Sequence, residues 1–340
     1  LVEDLYGSRR GALVAIEPAT GEVLAFVSKP TYDPNLFVEG IDQDTWSELN
    51  ESINRPLFNR ALRGTYPPGS TFKPFMALAG LESGRITAQT SVNDVGNWVL
   101  AGRSFRGHAT GWVNLEQSIT RSSNAYYYQL AYNMGIAAIN RYLAPLGFGR
   151  ETGIDLPGEA RGVLPNPEWK RQAMSRYKDR RMQTWVPGDT VNVGIGQGFN
   201  NYTMLQLAHA TATLAAGGIK RQPHLVRSLQ AGADDAPQPL PQPPGQVMGY
   251  KSEHLAAIKK GMQGVTLYGT GRLSRRGLRL GRQNRHRPGH HHRPEKPLQR
   301  RRAGRAPARS LPLHRLCPAG RAAHCRGRHR GKRRLWRGRR

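Results

Sequence analysis

The segment GTYPPGSTFKPF places a serine and a lysine three residues apart, at Ser70 and Lys73. This spacing predicts that both side chains share one face at the start of a helix, expected over residues 71–81 with Gly84 as its stop. A serine hydroxyl is a poor nucleophile unless a base lies beside it. A lysine can be that base when burial and neighbouring positive charge lower its pKa. The helix N-terminus would also favour an oxyanion that forms at Ser70.

A capping serine and a solvated lysine are the simpler interpretation, because Ser-x-x-Lys alone recurs by chance on surface helices. The Tyr-Pro-Pro-Gly sequence before the serine makes the catalytic interpretation more specific. A second polar cluster, Ser122-Ser123-Asn124, follows at a predicted loop-to-helix junction. A second serine besides Ser70 could relay a proton and the amide of the cluster could hold a peptide group, although a helix cap is the commoner role. The two motifs in this order favour serine acyl transfer.

The elements predicted around these motifs are those of an α+β fold. Residues 12–16 and 22–28 are rich in β-formers and predict a hairpin. The helical spacings predict further helices at about 124–143, 204–216 and 252–262, with Ser252 as the N-cap candidate of the last. The Pro-rich stretch 233–246 predicts a surface loop. Helices between an early hairpin and late strands indicate a sheet that the C-terminal part completes.

The positive charge of the chain is concentrated at one end. The 340 residues carry a formal charge of +28. Residues 272–340 hold 25 Lys and Arg against the single acid Glu295, whereas residues 1–271 hold 26 basic and 22 acidic residues. The last 69 residues also lack Val, Ile, Phe, Tyr, Met, Thr and Asp, so almost nothing there can fill a core. We therefore predict a globular domain over 1–271 and a basic, disordered tail over 272–340.

The two motifs resemble those of the penicillin-binding transpeptidases. The segments SKPTYDPNLFVEGI, PLFNRALRGTYPPGSTFKP and PGDTVNVGIGQG are similar to the elongation-specific class B group typified by penicillin-binding protein 2. The resemblance covers most of the globular part. It implies a penicillin-binding/β-lactamase-like α+β fold, in which helices flank an antiparallel sheet. It also implies a peptidoglycan D,D-transpeptidase of cell-wall elongation and cell shape.

By this resemblance, Ser70 is the acylated nucleophile and Lys73 is the general base. Ser122 would pass the proton to the leaving D-alanine, and Asn124 would bind the donor peptide. Gln197, in the sequence GIGQG, is a further substrate-binding candidate, although a Gly-rich turn is the simpler interpretation.

The resemblance calls for no metal and no organic cofactor. Two residues near the motifs, Asp94 and His108, are expected to be loop residues and not zinc ligands.

The resemblance also implies the surroundings of the enzyme. Its substrate would be the stem pentapeptide of peptidoglycan, β-lactam antibiotics would acylate the same serine, and a glycan polymerase of the elongation machinery would be its partner. No specific nucleic acid is implied. It places the enzyme at the bacterial inner membrane, on the periplasmic face. Because the sequence starts at Leu1 and has no long apolar run, we expect the anchor in upstream sequence.

One motif of the family is missing from its expected place. A Lys-Thr-Gly sequence should follow soon after MQGVTLYGTG, where GRQNRHRPGHHH stands instead. When residues 282–288 are written as codons with the common arginine box and read one base later, they permit Gly-Lys-Thr-Gly-Thr-Ala-Gln. Read in this way, residues 290–292, 310–318 and 324–336 also permit strand-like sequences. We interpret the tail as a frameshifted translation that begins between Gly271 and Gly281. An intact frame in the coding DNA would contradict this interpretation.

Several alternatives stay open from the residues alone. A D,D-carboxypeptidase or β-lactamase would send water to the same acyl-enzyme, and a β-lactam sensor would stop after acylation. The tail offers a non-enzyme alternative, a basic arm that binds nucleic acid through its phosphates. Metal binding by residues 290–292, or by Cys317, His324 and Cys325, lacks a recognised ligand spacing. Because the shifted frame removes strands, we expect this chain to fold poorly and to be acylated little or not at all.

Overall fold

The computed structural model describes residues 2–274, where helical residues outnumber strand residues. Several expectations fall outside these residues: the disorder of the tail beyond 274, the missing Lys-Thr-Gly sequence, nucleic-acid binding, and both candidate metal clusters. The helices of the described part are α1 (Val2–Tyr6), α2 (Gln43–Glu51), α3 (Lys73–Glu82), α4 (Leu115–Thr120), α5 (Asn124–Leu143), α6 (Pro167–Ala173), α7 (Arg180–Gln183), α8 (Pro187–Val193), α9 (Met204–Ala215) and α10 (Ser252–Leu267).

The strands of this part are short and pair two by two, always antiparallel. The pairs are β1 with β2, β3 with β8, β4 with β7, β5 with β6, β9 with β12, and β10 with β11. Their bounds are β1 (Gly11–Ile16), β2 (Val23–Lys29), β3 (Thr65–Tyr66), β4 (Val92–Asp94), β5 (Asn97–Leu100), β6 (Arg103–Arg106), β7 (Gly111–Val113), β8 (Tyr202–Thr203), β9 (Ile219–Lys220), β10 (Ser228–Leu229), β11 (Gln238–Pro239) and β12 (Gln246–Val247).

The predicted N-terminal hairpin is confirmed. β1 pairs with β2 from Gly11 opposite Lys29 to Ala15 opposite Ala25. Among residues 2–274, no other strand pairs with β1. A mainly apolar groove follows β1, lined also by side chains of α9 and by Thr71. One edge of the hairpin therefore faces a groove that reaches the segment containing Ser70.

The buried helix α3 is the centre of the described part. All residues from Lys73 to Leu81 are buried, because the sequence KPFMALAGL is apolar on every side except at its lysine. At Gly80, an added Cβ would lie 2.9 Å from Ile86 Cδ1 and 3.0 Å from Leu130 Cδ1, so glycine permits the close approach of α5. Packing from both sides thus fixes the direction of α3, and with it the position of Lys73.

An aromatic cluster packs against the start of α3. The Phe148 ring lies 5.2 Å from Phe72, 5.1 Å from Phe75 and 4.6 Å from Tyr202, measured between ring centroids. All four side chains are at most 2% exposed. Because Phe72 ends the turn that contains Ser70, this cluster links the core to the candidate nucleophile.

The predicted helices are present, with differences at their ends. α5 covers the predicted residues 124–143 but is kinked at Gly135, whose φ of 73° is not helical, and α9 ends one residue earlier than predicted. Residues 69–72 form a 3-10 turn and α3 starts only at Lys73. Gly84, with φ of 68°, follows the C-cap of α3, as expected of a stop.

The prediction of Ser252 as an N-cap is wrong. Lys251 is the N-cap of α10, and its backbone N–H donates to the Glu82 carboxylate at 3.1 Å, which fixes the start of the helix. α10 also continues past the predicted end to Leu267, because it packs on α4. Gly261 allows this contact, since an added Cβ there would lie 2.9 Å from Ile119 Cδ1.

The Pro-rich stretch 233–246 is exposed except at the half-buried Gly245, as predicted of a surface loop, and it contains the short strand β11 and the first residue of β12. None of the helices within residues 2–274 combines the length and apolarity needed to cross a bilayer.

We predict that Phe148→Ala lowers the free energy of unfolding by about 3 to 5 kcal/mol, since it removes a fully buried ring from the aromatic cluster. Urea denaturation followed by tyrosine and tryptophan fluorescence measures this loss. The control is Trp112→Ala, because Trp112 is 68% exposed and its truncation is expected to change the stability by no more than about 0.5 kcal/mol. Equal losses in the two variants would contradict the proposed place of the cluster in the core.

Candidate active site

The side chain of Lys73 is buried at the first position of α3, with 1% of the residue exposed. Its Nζ donates to the Ser122 carbonyl at 2.6 Å, to Ser122 Oγ at 3.0 Å and to Asn124 Oδ1 at 2.8 Å. The Tyr127 ring lies on another side, with its centroid 5.5 Å from Nζ. The interpretation of Lys73 as a solvated surface lysine is therefore wrong. The structure brings Lys73, Ser122 and Asn124 together as the sequence predicts.

Burial lowers the pKa of the Lys73 ammonium to about 7, and the nearby Asp94 carboxylate opposes this shift. Burial and a neighbouring positive charge are the two conditions that can lower the pKa of a lysine. Within residues 2–274 the charge that shifts this pKa is negative, so burial alone produces the lowering. An amine with this pKa is substantially neutral near pH 7, and can accept a proton.

The segment Ser122-Ser123-Asn124 is a tight turn between α4 and α5. Ser122 has a left-handed backbone, with φ of 57°, which costs a non-glycine residue about 1 kcal/mol or more. Ser123 is the N-cap of α5, since its Oγ accepts from the Tyr126 N–H at 3.3 Å. The helix-cap interpretation is thus confirmed for Ser123, while its neighbours on both sides contact Lys73.

Ser70 lies in the 3-10 turn that precedes α3 and is exposed. Its carbonyl accepts from the Lys73 N–H, but its hydroxyl makes no hydrogen bond with any residue in the described range. The Lys73 amine points towards Ser122 instead. The structure therefore places the candidate nucleophile one turn from the candidate base without the direct contact that the sequence motif suggests.

The glycine-rich turn 194–198 packs against the turn that contains Ser70. The Gly69 N–H donates to the Gly196 carbonyl at 2.9 Å. Gly196 has φ of 70°, and an added Cβ would lie 2.8 Å from Phe72 Cβ and in collision with the Gly69 carbonyl. Glycine is therefore required both by the backbone conformation and by the close approach of the two turns.

Gln197 is exposed beside this contact, and the hydrogen bonds at this residue involve only its backbone. The simple interpretation of the sequence GIGQG as a turn accounts for its glycines.

Asp94 was missed as a site residue. It was expected in a loop, but it is the last residue of β4 and is 1% exposed. Aspartate is unfavourable in strands and carries no signal of burial in the sequence, so the local pattern gave no reason to place it here. His108 is an exposed loop residue, as predicted. Within residues 2–274, no group of three or more His, Cys, Asp or Glu side chains is arranged to hold a metal ion.

Comparisons with known proteins place this arrangement in context. The penicillin binding protein transpeptidase domain matches residues 11–281. Peptidoglycan D,D-transpeptidase MrdA of Acinetobacter baumannii is 45% identical over 227 residues, which is 65% of this chain and 32% of that protein. The chain thus spans about a third of the length of this curated relative.

Solved structures agree with the family match. The crystal structure of Pseudomonas aeruginosa PBP2 in complex with WCK 5153 is similar with a TM-score of 0.71 and 43% identity, over 79% of this chain and 58% of that one. A chain from a study of how a peptidoglycan synthase complex coordinates polymerization and crosslinking is similar with a TM-score of 0.64 and 33% identity, over 80% and 45%. These findings confirm the α+β transpeptidase fold predicted from the sequence.

We predict that Gly196→Ala is more destabilising than Gly217→Ala. Both positions have φ of 70°, but an added Cβ at Gly217 meets no atom within 4 Å. Both variants carry the cost of a left-handed alanine, about 1 to 2 kcal/mol, and Gly196→Ala adds overpacking of about 1 to 3 kcal/mol. Urea denaturation compares them. Equal losses of stability would contradict the close contact between the two turns.

Proposed function

Because this chain belongs to the penicillin-binding protein transpeptidase domain family, we propose that it is part of a peptidoglycan D,D-transpeptidase of cell-wall elongation and cell shape. One observation carries the proposal. A buried lysine amine with a pKa of about 7 is held by Ser122 and Asn124, one turn from the exposed hydroxyl of Ser70. Such an amine is suited to activate a serine for acyl transfer.

The proposed reaction starts when the Ser70 hydroxyl attacks the carbonyl carbon between the two terminal D-alanines. The neutral Lys73 amine accepts the hydroxyl proton, and Ser122 passes a proton to the nitrogen of the leaving D-alanine. The acyl group then stays on Ser70 until an amine of a neighbouring stem peptide attacks the same carbon. That amine loses a proton as the new amide forms, and Ser70 regains its hydroxyl. β-Lactams would acylate Ser70 by the same attack, without the second step.

Asn124 and Gln197 are the proposed contacts for the donor peptide. The Asn124 side chain already has its oxygen on Lys73, which leaves its amide nitrogen towards the cleft side of β6, 3.5 Å from the Arg106 carbonyl. Gln197 is exposed next to the turn that packs on Gly69. The Gln197 side chain would bind a peptide that lies over Ser70 directly, and Asn124 would exchange its long hydrogen bond to Arg106 for one with the peptide.

We propose that the complete enzyme works at the periplasmic face of the bacterial inner membrane, with a glycan polymerase as its partner. The resemblance to elongation-specific class B enzymes supports this place. A related chain from a peptidoglycan synthase complex, in which polymerization and crosslinking are coordinated, supports the partner.

We further propose that residues 1–271 are an incomplete transpeptidase domain, that residues 272–340 are an out-of-frame tail, and that this chain is impaired as an enzyme. Two observations support impairment. The Ser70 hydroxyl is exposed and without a hydrogen bond among the described residues. The groove beside β1 extends to Thr71, the residue after Ser70, as expected if a strand that carries Lys-Thr-Gly belongs there.

We predict that restoring the frame after Gly271 allows labelling of Ser70 by a fluorescent penicillin, whereas the present chain is labelled at least about tenfold more slowly. Labelled protein is measured by gel fluorescence and the site by peptide mass spectrometry. Ser70→Ala abolishes labelling in the restored-frame protein, and Ser83→Ala, which changes a serine at the other end of α3, does not. Stoichiometric labelling of the present chain would contradict its impairment.

If acyl-enzyme made from a peptide ester breaks down equally fast with and without an acceptor amine, the enzyme is a hydrolase.

We predict that this labelling becomes faster as the pH rises through about 7, the pKa of Lys73. The neutral amine is the proposed base and its fraction increases with pH, so the rate increases on the acid side and levels off once the amine is deprotonated. Rates measured from about pH 5.5 to about pH 8.5 define this limb. A rate that does not change with pH in this range would rule out Lys73 as the base.

A further inference from the structure

The carboxylate of Asp94 is buried without a directly bound cation. Its Oδ1 accepts from the Gly96 N–H at 2.9 Å, and its Oδ2 accepts from Thr110 Oγ1 at 3.2 Å and from Ser123 Oγ at 2.5 Å. No lysine or arginine of the described residues forms an ion pair with it. A buried carboxylate is costly unless hydrogen bonds and an opposite charge compensate it. The hydrogen bonds are present, and the opposite charge lies on the other side of the turn that Asp94 contacts.

That opposite charge is Lys73, on the far side of the Ser122–Asn124 turn. Ser123 is fully buried, donates to Asp94, and accepts from the Tyr126 N–H. The residues before and after Ser123 both accept from the Lys73 amine. One turn of three residues thus has the carboxylate on one side and the amine on the other.

We infer that Asp94 is a positioning residue of the transpeptidase site, which holds the turn through Ser123 and supplies a counter-charge across that turn from the Lys73 amine. This inference rests on the proposed function of Lys73 as the base. It assigns to a residue outside the sequence motifs the control of when that base is charged.

The neighbours of Lys73 leave few other sources of this charge. Ser122 and Asn124 offer neutral oxygen atoms, and the nearest ring is the phenol of Tyr127. Burial raises the pKa of Tyr127, and burial also raises that of Tyr128, so both phenols are neutral near pH 7. The glycine-rich turn 194–198 contains no ionisable side chain. Asp94 is thus the anion of the described part that acts on the Lys73 amine.

Burial and the Asp94 charge shift the pKa of Lys73 in opposite directions, and each has a separate consequence for the amine. Burial alone would leave the amine neutral and weakly held, because only an ammonium group has three protons for its three oxygen partners. The Asp94 charge favours the ammonium form and so offsets part of the burial effect. The result is an amine that is held in place when protonated and is a base when neutral, near the same pH.

The experiment measures the titration of Lys73 in the present full chain, without substrate or penicillin. Protein labelled with ¹³C at lysine Cε is titrated by NMR, and the Lys73 signal is identified by its loss in Lys73→Arg. We expect Asp94→Asn, which preserves the shape of the side chain and its acceptor for the Gly96 N–H but replaces the other oxygen by an amide donor facing the two hydroxyls, to lower the pKa of Lys73 by about one unit. At a pH below both values, the neutral fraction then increases about tenfold. An unchanged Lys73 titration would overturn the inference.

Ser123→Ala is the matched control, since it removes the hydrogen bond to Asp94 but leaves the carboxylate charge. We expect the Lys73 pKa in this variant to stay close to that of the original chain. If it falls as far as in Asp94→Asn, displacement of the turn and not charge explains the shift, and the inference is wrong.

Near-UV circular dichroism shows whether each variant keeps its tertiary packing. If Asp94→Asn is unfolded, Asp94→Ser replaces it, because serine also removes the charge but leaves a hydroxyl for Ser123. Since the titration needs no acylation, it tests Asp94 whether or not Ser70 is ever labelled. A restored-frame protein that is not labelled by penicillin at Ser70 would instead count against the proposed function.

Discussion

The burial of one amine organises the candidate site. Lys73 is the first residue of α3, and the eight apolar or glycine residues that follow it are all buried. A cation in such surroundings is costly unless its polar groups are satisfied or its charge is given up. Both solutions are available here, because Ser122 and Asn124 supply oxygen acceptors and burial moves the pKa of the amine to about 7. The site can therefore exist in two protonation states without repacking its surroundings.

The candidate site is assembled from segments that are far apart in sequence. The turn of Ser122 comes from the α4–α5 junction, and the Gly196 turn comes from the segment after α8. Each contributes a backbone conformation that ordinary residues avoid: Ser122 is left-handed, and Gly196 is left-handed and in tight contact with Gly69. Neither would be stable in isolation, so the site depends on the core formed by α3, α5 and the aromatic cluster.

Sequence patterns predicted the parts of the fold that depend on local periodicity. The hairpin β1–β2 and the helix α5 follow from alternating and helical spacing of apolar residues, and both are present where predicted. The 3-10 turn at Ser70 and the N-cap of α10 at Lys251 were not predicted, because packing against Gly196 and the Glu82 carboxylate decides them. Such contacts join residues far apart in the chain.

The candidate site was predictable to the extent that its residues are close in sequence. The pairs Ser70 with Lys73 and Ser122 with Asn124 were found from spacing alone. Asp94 was not, because its role comes from burial beside Ser123, 29 residues away, and a single aspartate at the end of a short strand has no local signature. The charged neighbour of the amine was not predictable for the same reason, since Asp94 comes close to Lys73 only in the folded chain.

The proposed nucleophile is in contact with water and its proposed base is buried. This difference links the pairing of the β1 edge to the acylation of Ser70. Lys73 is buried, but Ser70 is exposed beside a groove that runs from Thr71 along the free edge of β1. In water, an oxyanion formed at Ser70 would gain little from the helix N-terminus, since electrostatic stabilisation weakens as the dielectric constant rises. A strand paired with β1 would fill the groove and exclude water from Ser70. The edge of β1 and the acylation step are therefore coupled: among residues 2–274 only β2 pairs with β1, the serine beside the groove is exposed, and a correctly positioned lysine cannot compensate for that alone.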